Sequence, residues 1–221
     1  MKLDKTTFEI LKNFSQINSN LVINEGNIIR TINPGKTAFA KAVVPNTFEK
    51  EFAVYDLNEL LALVSGNDAD LIFGENAITI TDPQGMATFN YSDPDVVQTP
   101  PSAEMPVPEG FYSIEISATT LAAWRKNVGI LAAPLIVFTS DGTTAKVTIG
   151  NPDITSSSKY ESTLGASENV FKAAIPTESL KMMEGDYLIS FPSTGKFAYF
   201  SSKDKDLKYW IALDSKHSEF K

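Results

Sequence analysis

KTTFEILKNFSQIN, running from Lys5 to Asn18, decides how the rest of the chain is read. Ile10, Leu11, Phe14 and Ile17 recur at the three- and four-residue spacings that build one apolar helix face. At 100° per residue, Lys5, Glu9, Lys12 and Gln16 gather on the opposite face. That face carries two lysines and one glutamate in a chain whose net charge is −8. It is either an ordinary solvated face or one of several basic helix faces kept apart from an acidic remainder. The rest of the chain has to decide between the two.

The 221 residues, 43% hydrophobic and 21% charged, allow one large domain or two of about 100 residues, each with its own core. No apolar run approaches the roughly 18 residues of a membrane span, so no membrane association is expected. MKLDKTTFEI lacks the apolar stretch of a signal peptide. There is no cysteine, hence no disulfide framework and no thiolate metal site. These features point to the cytoplasm. A sequence pI near 4.7 argues against a nucleic-acid binder coated in positive charge. It leaves room for basic charge collected on one internal surface.

Strand runs follow the first helix at 21–24, 27–31, 37–44 and 51–55, with Glu25-Gly26 and Asn33-Pro34-Gly35 as turns. Asp56 and Glu59 have capping-box spacing and open a short helix, 57–64, with Leu57, Leu60, Leu61 and Val64 on its apolar face. Strands at 70–74, 77–81 and 86–91 come next, with Asp68 in the loop before them. Residues 92–110 contain five prolines and no basic residue and read as an extended connector. Beyond it the order repeats. A strand at 111–116 precedes a helix at 118–129, capped by Ser117, with Leu121, Trp124 and Val128 inward. Strands follow at 135–140 and 144–149, around the Asp141-Gly142 turn, and at 159–164 and 170–175. Pro176 opens a fourth short helix that Gly185 ends, with Leu180 and Met183 facing the core. Strands at 187–191, 197–202 and 207–213 close the chain.

The fold class expected is therefore α+β. It has two similar domains, 1–91 and 111–221, each made of two strand–helix–three-strand units and joined by the connector 92–110. Across the four helices, taken as 5–18, 57–64, 118–129 and 176–184, five basic residues stand against four acidic ones. The helices thus carry +1, and everything else carries −9. Lys126 lies opposite the apolar face of its helix with Arg125 on the flank, and Lys181 points away from Leu180 and Met183.

MKLDKTTFEILKNFSQINSN, VYDLNELLALVS, FKAAIPTESLKMMEGDYLISF and KYWIALDSKHSEF resemble the sliding clamps of T-even-type tailed phages, the DNA polymerase processivity factors. The similarity is collinear over nearly the whole chain, and the opening twenty residues are its most specific part. The resemblance implies the DNA-clamp fold and a homotrimeric ring of six domains and twelve helices, with helices lining a hole that duplex DNA threads. DNA-facing residues would be Lys5, Lys12, Arg125, Lys126 and Lys181. The ring would close by strand edges, at Thr88 and Phe89 on one side and Tyr160 and Ser162 on the other. Partner peptides would dock near Val96, Val97, Met105, Val107, Trp210 and Ile211. The implied partners are the DNA polymerase, an ATP-driven clamp loader and late-transcription factors, in the host cytoplasm. The second helix departs from the pattern, because it offers no basic residue and Glu59 lies on its exposed side.

Nothing in the chain assembles a catalytic centre, so the protein is expected not to be an enzyme and to need no cofactor. His217 is the only histidine and sits in a polar tail, SKHSEFK, where it is expected in solvent. His-based zinc sites and Ser–His–Asp systems therefore lack parts. Asp93/Asp95 and Asp204/Asp206 are spaced for acid–base or metal work but lie in turns, where solvated loop charge is the simpler account. The alternative to a clamp is a β-rich structural ring or tube subunit of a phage particle. A basic inner helix face favours the clamp.

Overall fold

The computed structural model describes residues 1–64, 69–101, 105–107 and 109–220. Asp68, residues 102–104 and 108 of the connector, and Lys221 lie outside the described residues. The chain forms two compact units, Met1–Ala103 and Glu104–Lys221.

In the first unit the opening stretch is a helix, α1 (Lys5–Ile17). The Asp4 side chain accepts from Thr6 N–H at 2.7 Å and satisfies an orphan donor of the first turn. Asn18 closes the other end: its N–H reaches Phe14 O at 2.9 Å, and its amide donates to Ile32 O at 2.9 Å. Ile10, Leu11, Phe14 and Ile17 are buried, as the spacing requires. They pack against α2 (Leu57–Val64) and β3 (Ala38–Phe48). Asp56 caps α2 through the N–H groups of Asn58 (2.9 Å) and Glu59 (3.2 Å). β3 forms an antiparallel hairpin with β2 (Gly26–Ile32). β1 (Leu21–Ile23) pairs with β4 (Phe52–Val54), and β5 (Asp70–Phe73), β6 (Ala77–Asp82) and β7 (Gly85–Asn90) make a three-stranded antiparallel sheet. Leu71, Ile78, Ile80 and Phe89 alternate onto the buried face of that sheet, while Ile72, Thr81, Met86 and Thr88 face solvent.

The second unit repeats the order. β8 (Tyr112–Ile116) leads into α3 (Ala118–Leu131), whose first turn is capped by Ser117 Oγ accepting from Thr120 N–H at 3.1 Å. Trp124 stands edge-on to Phe138 at 5.5 Å between centroids. α3 runs past Gly129 to Leu131 and ends at Ala132, whose backbone is left-handed (φ 45°). Of the three expected inward residues, Leu121 and Trp124 are buried and Val128 is only half-buried. β9 (Leu135–Asp141), β10 (Thr144–Gly150), β11 (Tyr160–Ala166) and β12 (Val170–Pro176) form an antiparallel sheet in the order β11-β10-β9-β12. β8 pairs with β13 (Tyr187–Phe191), β13 with β14 (Phe197–Ser202), and β14 with β15 (Leu207–Ala212). A two-residue strand that the sequence did not signal, β16 (Glu219–Phe220), adds to the β12 edge.

One expected element does not form. Only Thr177–Ser179 winds, as a single 3₁₀ turn, where a helix was read over 176–184. The backbone beyond it is claimed by side chains from elsewhere in the unit. The Arg125 guanidinium donates to the carbonyls of Leu180 and Met182. Met183 N–H donates to Tyr209 Oη at 3.1 Å, and Tyr187 O–H donates to Met183 O at 2.9 Å. A window this short nucleates a helix poorly, and these bonds satisfy the groups a helix would have paired. Met182 takes the buried position expected of Leu180 and Met183, both of which are half-buried.

Candidate nucleic-acid interface, strand edges and docking surface

With three α-helices among the described residues, helix charge separates more sharply than the sequence count implied. α1, α2 and α3 hold Lys5, Lys12, Arg125 and Lys126 against Glu9 and Glu59, a sum of +2, so the remaining residues carry −10. Lys5 and Lys12 are exposed on α1, opposite its buried stripe, and Lys126 is exposed on α3 opposite Leu121 and Trp124. Glu9 tempers the first of these, lying 3.9 Å from Lys5 across one turn. Lys181 is exposed, but on the irregular segment after the 3₁₀ turn rather than on a helix. Arg125 is the exception among the five. Its guanidinium is half-buried, with burial pulling its pKa down against the pull of Tyr187 and Glu184, and it is engaged with backbone carbonyls. It holds the 180–182 segment in place before it offers charge to anything outside. α2 presents Glu59 and no cation.

Among the described residues, the strand pairings leave β7 and β11 each with one open edge. β7 pairs with β6 alone, and β11 pairs with β10 alone. Thr88 is exposed on β7; Phe89 turns inward and belongs to the core of its unit. Tyr160 and Ser162 are half-exposed on β11. A bulge between Ala145 and Lys146, opposite Gly165 (φ 131°), re-aims the far end of that edge. Unpaired N–H and C=O rows of this kind are templates for another chain.

The residues expected to form a docking surface separate into two groups. Val96 and Val107 are exposed, Val107 by 63% of its surface, and Met105 is half-buried. Val97 is 6% exposed and pins its part of the connector to the first unit, where Ser92 N–H also bonds Ala53 O at 2.9 Å. In the second unit Trp210 and Ile211 are buried. The Trp210 indole N–H donates to Pro106 O at 2.9 Å, and the ring lies 5.1 Å from Tyr199. A cavity of about 380 Å³ lies along the connector within the first unit, between Val22, Arg30 and Glu51 on one side and Pro94, Asp95 and Pro100 on the other.

The two acidic pairs turn out to have local work. Asp93 caps a 3₁₀ turn at Pro94–Val96 through Asp95 N–H, and Asp206 pairs with Lys208 at 3.0 Å. His217 departs from its expected place in solvent. Its side chain is 12% exposed and lies between two carboxylates, Asp214 at 2.8 Å and Asp153 at 3.1 Å. Asp153 is 64 residues away in sequence, so the tail alone gave no sign of it.

Comparison with known proteins places this geometry. Residues 2–72 match the family described as DNA polymerase processivity factor. The chain is 31% identical over 224 residues to the sliding clamp of Vibrio phage KVP40, covering 97% of this chain and all of that one. It is 30% identical to the sliding clamp of Enterobacteria phage T4, over 97% of each. Among solved structures, the A. fulgidus PCNA bound to the C-terminal region of FEN-1 superposes with a TM-score of 0.66 at 14% identity, covering 94% of both chains, and so shares the fold. On the full-length identity to these phage proteins, the chain belongs to the sliding-clamp family, the DNA polymerase processivity factors.

Proposed function

We propose that the protein is a ring-forming clamp that encircles duplex DNA and tethers the replicative polymerase in the host cytoplasm, without catalysing a reaction itself. The observation that carries this reading is the segregation of charge: exposed lysines on α1 and α3 in a chain whose remaining residues carry −10. Lysines on helix surfaces attract phosphates weakly, in a salt-sensitive way and without reading bases. That suits a protein held on DNA by topology, for which tight contacts would only slow sliding. Lys5, Lys12, Lys126 and Lys181 face the duplex in this reading, and Arg125 supports Lys181 through the backbone it holds. Three copies close the ring by pairing β7 of one with β11 of the next, along Thr88 and along Tyr160 and Ser162. An ATP-driven loader opens it. The polymerase, the loader and late-transcription factors dock by short peptides at Val96, Met105 and Val107. Val97 supports Val96 within the first unit, and Trp210, bonded to Pro106 O, with Ile211 supports Met105 and Val107 within the second.

The test is primer extension on a long primed template with the cognate polymerase, a loader and this protein. Products lengthen only when all three are present. Lys12→Glu combined with Lys126→Glu shortens them increasingly as salt rises, while sedimentation still shows a trimer. Thr88→Pro removes a ladder donor and gives folded monomers. Unchanged product lengths at every salt concentration would overturn the assignment of the DNA-facing surface.

A further inference from the structure

The loop between β10 and β11 does not take the short way round. It crosses the face of the five-stranded sheet β11-β10-β9-β12-β16 and is fastened near the opposite edge, where residues 214–220 run along β12. Asp214 N–H bonds Ala174 O at 2.9 Å, and Ser218 Oγ accepts from Ala174 N–H at 3.0 Å, which fixes that segment to the sheet. The fastening is ionic. Asp153 Oδ1 lies 2.7 Å from Lys216 Nζ and 3.1 Å from His217 Nε2, and His217 Nδ1 lies 2.8 Å from Asp214 Oδ1. Between the loop and the sheet is a cavity of about 320 Å³, lined by Val137, Thr139, Thr148, Ile154 and Lys172. The loop therefore stands off the sheet over part of its path, and its hold there rests on the fastening.

A neutral imidazole has one N–H and one lone pair. With a carboxylate at each ring nitrogen, only the doubly protonated ring donates to both. The neutral ring keeps its bond within the turn to Asp214, whose carboxylate also accepts His217 N–H at 2.9 Å, and turns a lone pair toward Asp153. Lys216 alone then holds the loop, through a pair exposed on both sides (68% and 53%), which contributes little.

We infer that His217 is a proton-operated pin that straps the β10–β11 loop across the sheet and so stiffens the free edge strand β11, which begins at Tyr160. The consequence for β11 as a subunit edge rests on the ring reading given above. The charged groups around the pin are Asp214 and Lys216 on its own segment and Asp153 on the loop. Lys172 and Glu219 lie on the two paired strands beside it, in register with each other. Both carboxylates remain ionised in mild acid. Hydrogen bonds from Lys216 and His217 hold Asp153 below its ordinary value; at Asp214, burial opposes ionisation and the His217 bonds outweigh it. The strap is thus tight when the imidazole carries both protons and loose when it carries one.

Hydrogen exchange of the full-length protein at about pH 6 and about pH 8.5, corrected for intrinsic exchange, reads the strap directly. The reporters are the amides of Ile154 and Ser157, which are bonded to Asn151 O and Ile154 O within the loop. Their protection falls about tenfold or more at the higher pH, the effect of losing one hydrogen bond to a charged group. His217→Gln removes the pH dependence and leaves protection at the lower level, whereas Lys216→Ala keeps the dependence. Protection independent of pH in the wild type, or a pH dependence that survives His217→Gln, overturns the pin. Exchange of fluorescently labelled subunits at the two pH values reads the coupling: it is slower at the lower pH in the wild type and the same at both in His217→Gln. Equal exchange rates in the wild type, with the loop responding, overturn the link to β11. Absence of any trimer while the loop still responds overturns the ring reading and leaves the pin supported.

Discussion

α1 and the segment at 176–185 look alike in sequence, and only one of them is a helix. Both start behind a residue suited to a first turn; α1 spaces apolar residues three and four apart, and the other window sets Leu180 and Met183 three apart. α1 extends over thirteen residues, is capped at each end, and buries Ile10, Leu11, Phe14 and Ile17 against α2 and β3. Its backbone has no better offer. The other window is shorter, and its carbonyls are met by Arg125 from α3 and by Tyr187 from β13. Periodicity tells which side chains a helix would bury. Whether the helix forms depends on what else in the fold competes for its backbone groups, and that competition is invisible in a local window.

If burial of the apolar stripe is what makes α1, emptying it has the largest effect. Phe14 is fully buried, and Phe14→Ala is expected to cost about 3–5 kcal/mol through lost transfer energy and a cavity. Urea denaturation followed by far-UV circular dichroism measures it. A cost below about 1 kcal/mol would mean that α1 is held by its caps, whose loss is of that order, and the contrast drawn here would fail.

The other region is expected to fail first in alkali. Burial pushes the Tyr187 phenol up to about 12, partly offset by Tyr209 and Arg125, and burial also pushes Tyr209 up. The fold favours the neutral phenols, so the unfolded chain ionises first. The stability the Tyr187 phenol contributes is intact below pH about 10, and about 3 kcal/mol of it is lost as pH climbs to about 12. Exchange at Met183 should rise over that window, together with near-ultraviolet tyrosinate absorbance. Exchange along α1, which packs against α2, β2 and β3, none of which contains a tyrosine, should lag behind. Simultaneous opening of both would mean that 180–183 is no less stable than a helix.

Arg125 is the sharper probe of the same contrast, because it tests the competitor itself. Arg125→Met keeps the stem packed and removes the donors, leaving the carbonyls of Leu180 and Met182 without them, at about 1–3 kcal/mol. The expected local result is faster exchange through 180–183, with α3 unchanged. If the segment instead winds into helix once released, ellipticity near 222 nm (about the helix minimum) increases, and the window's own propensity was sufficient all along.

Local chemistry made most of the architecture legible. The β9–β10 hairpin was marked by Asp141-Gly142. Gly142 takes the positive φ of 89° that the turn needs, and Asp141 binds the N–H groups of Thr143 and Thr144 at 2.9 Å. Those bonds, with the Thr143 hydroxyl first among them, hold the Asp141 carboxyl down to about 2. The strand alternation in β5 to β7 was equally direct. What stayed hidden was set at long range. β16 is only two residues long and forms because Phe220 stacks on Phe171 at 6.0 Å and lies against Gly195, where a Cβ would come within 2.5 Å of the ring. Arg125 could be seen to flank its helix, but not that carbonyls 55 and 57 residues away would claim it. His217 could be seen as solitary, but not as the partner of Asp153. At the candidate site the helix lysines were legible because amphipathic spacing assigns them a face. The residues expected to dock peptides were less so, since in a proline-rich stretch no period separates the buried Val97 from the exposed Val96.

The smallest expected effect asks whether the two regions, so different in backbone, do the same work on DNA. Lys12 projects from a helix and Lys181 from an irregular segment, and both are exposed. A lysine that neutralises one phosphate contributes about 0.9 to the slope of log affinity against log salt on duplex DNA. Binding of the closed trimer to a short end-blocked duplex, titrated over salt, is expected to lose about that much slope per subunit for Lys12→Ala and for Lys181→Ala alike, with affinity at low salt falling modestly. Lys181 meets this expectation only if the segment is as fixed as a helix, which is the role assigned to Arg125. The double variant Arg125→Met with Lys181→Ala should therefore add little slope change beyond either substitution, because both remove the same positioned charge. Fully additive losses would show that Arg125 meets a phosphate of its own. A Lys181→Ala slope equal to that of the wild type would show that replacing a helix by a held loop moves its lysine off the DNA.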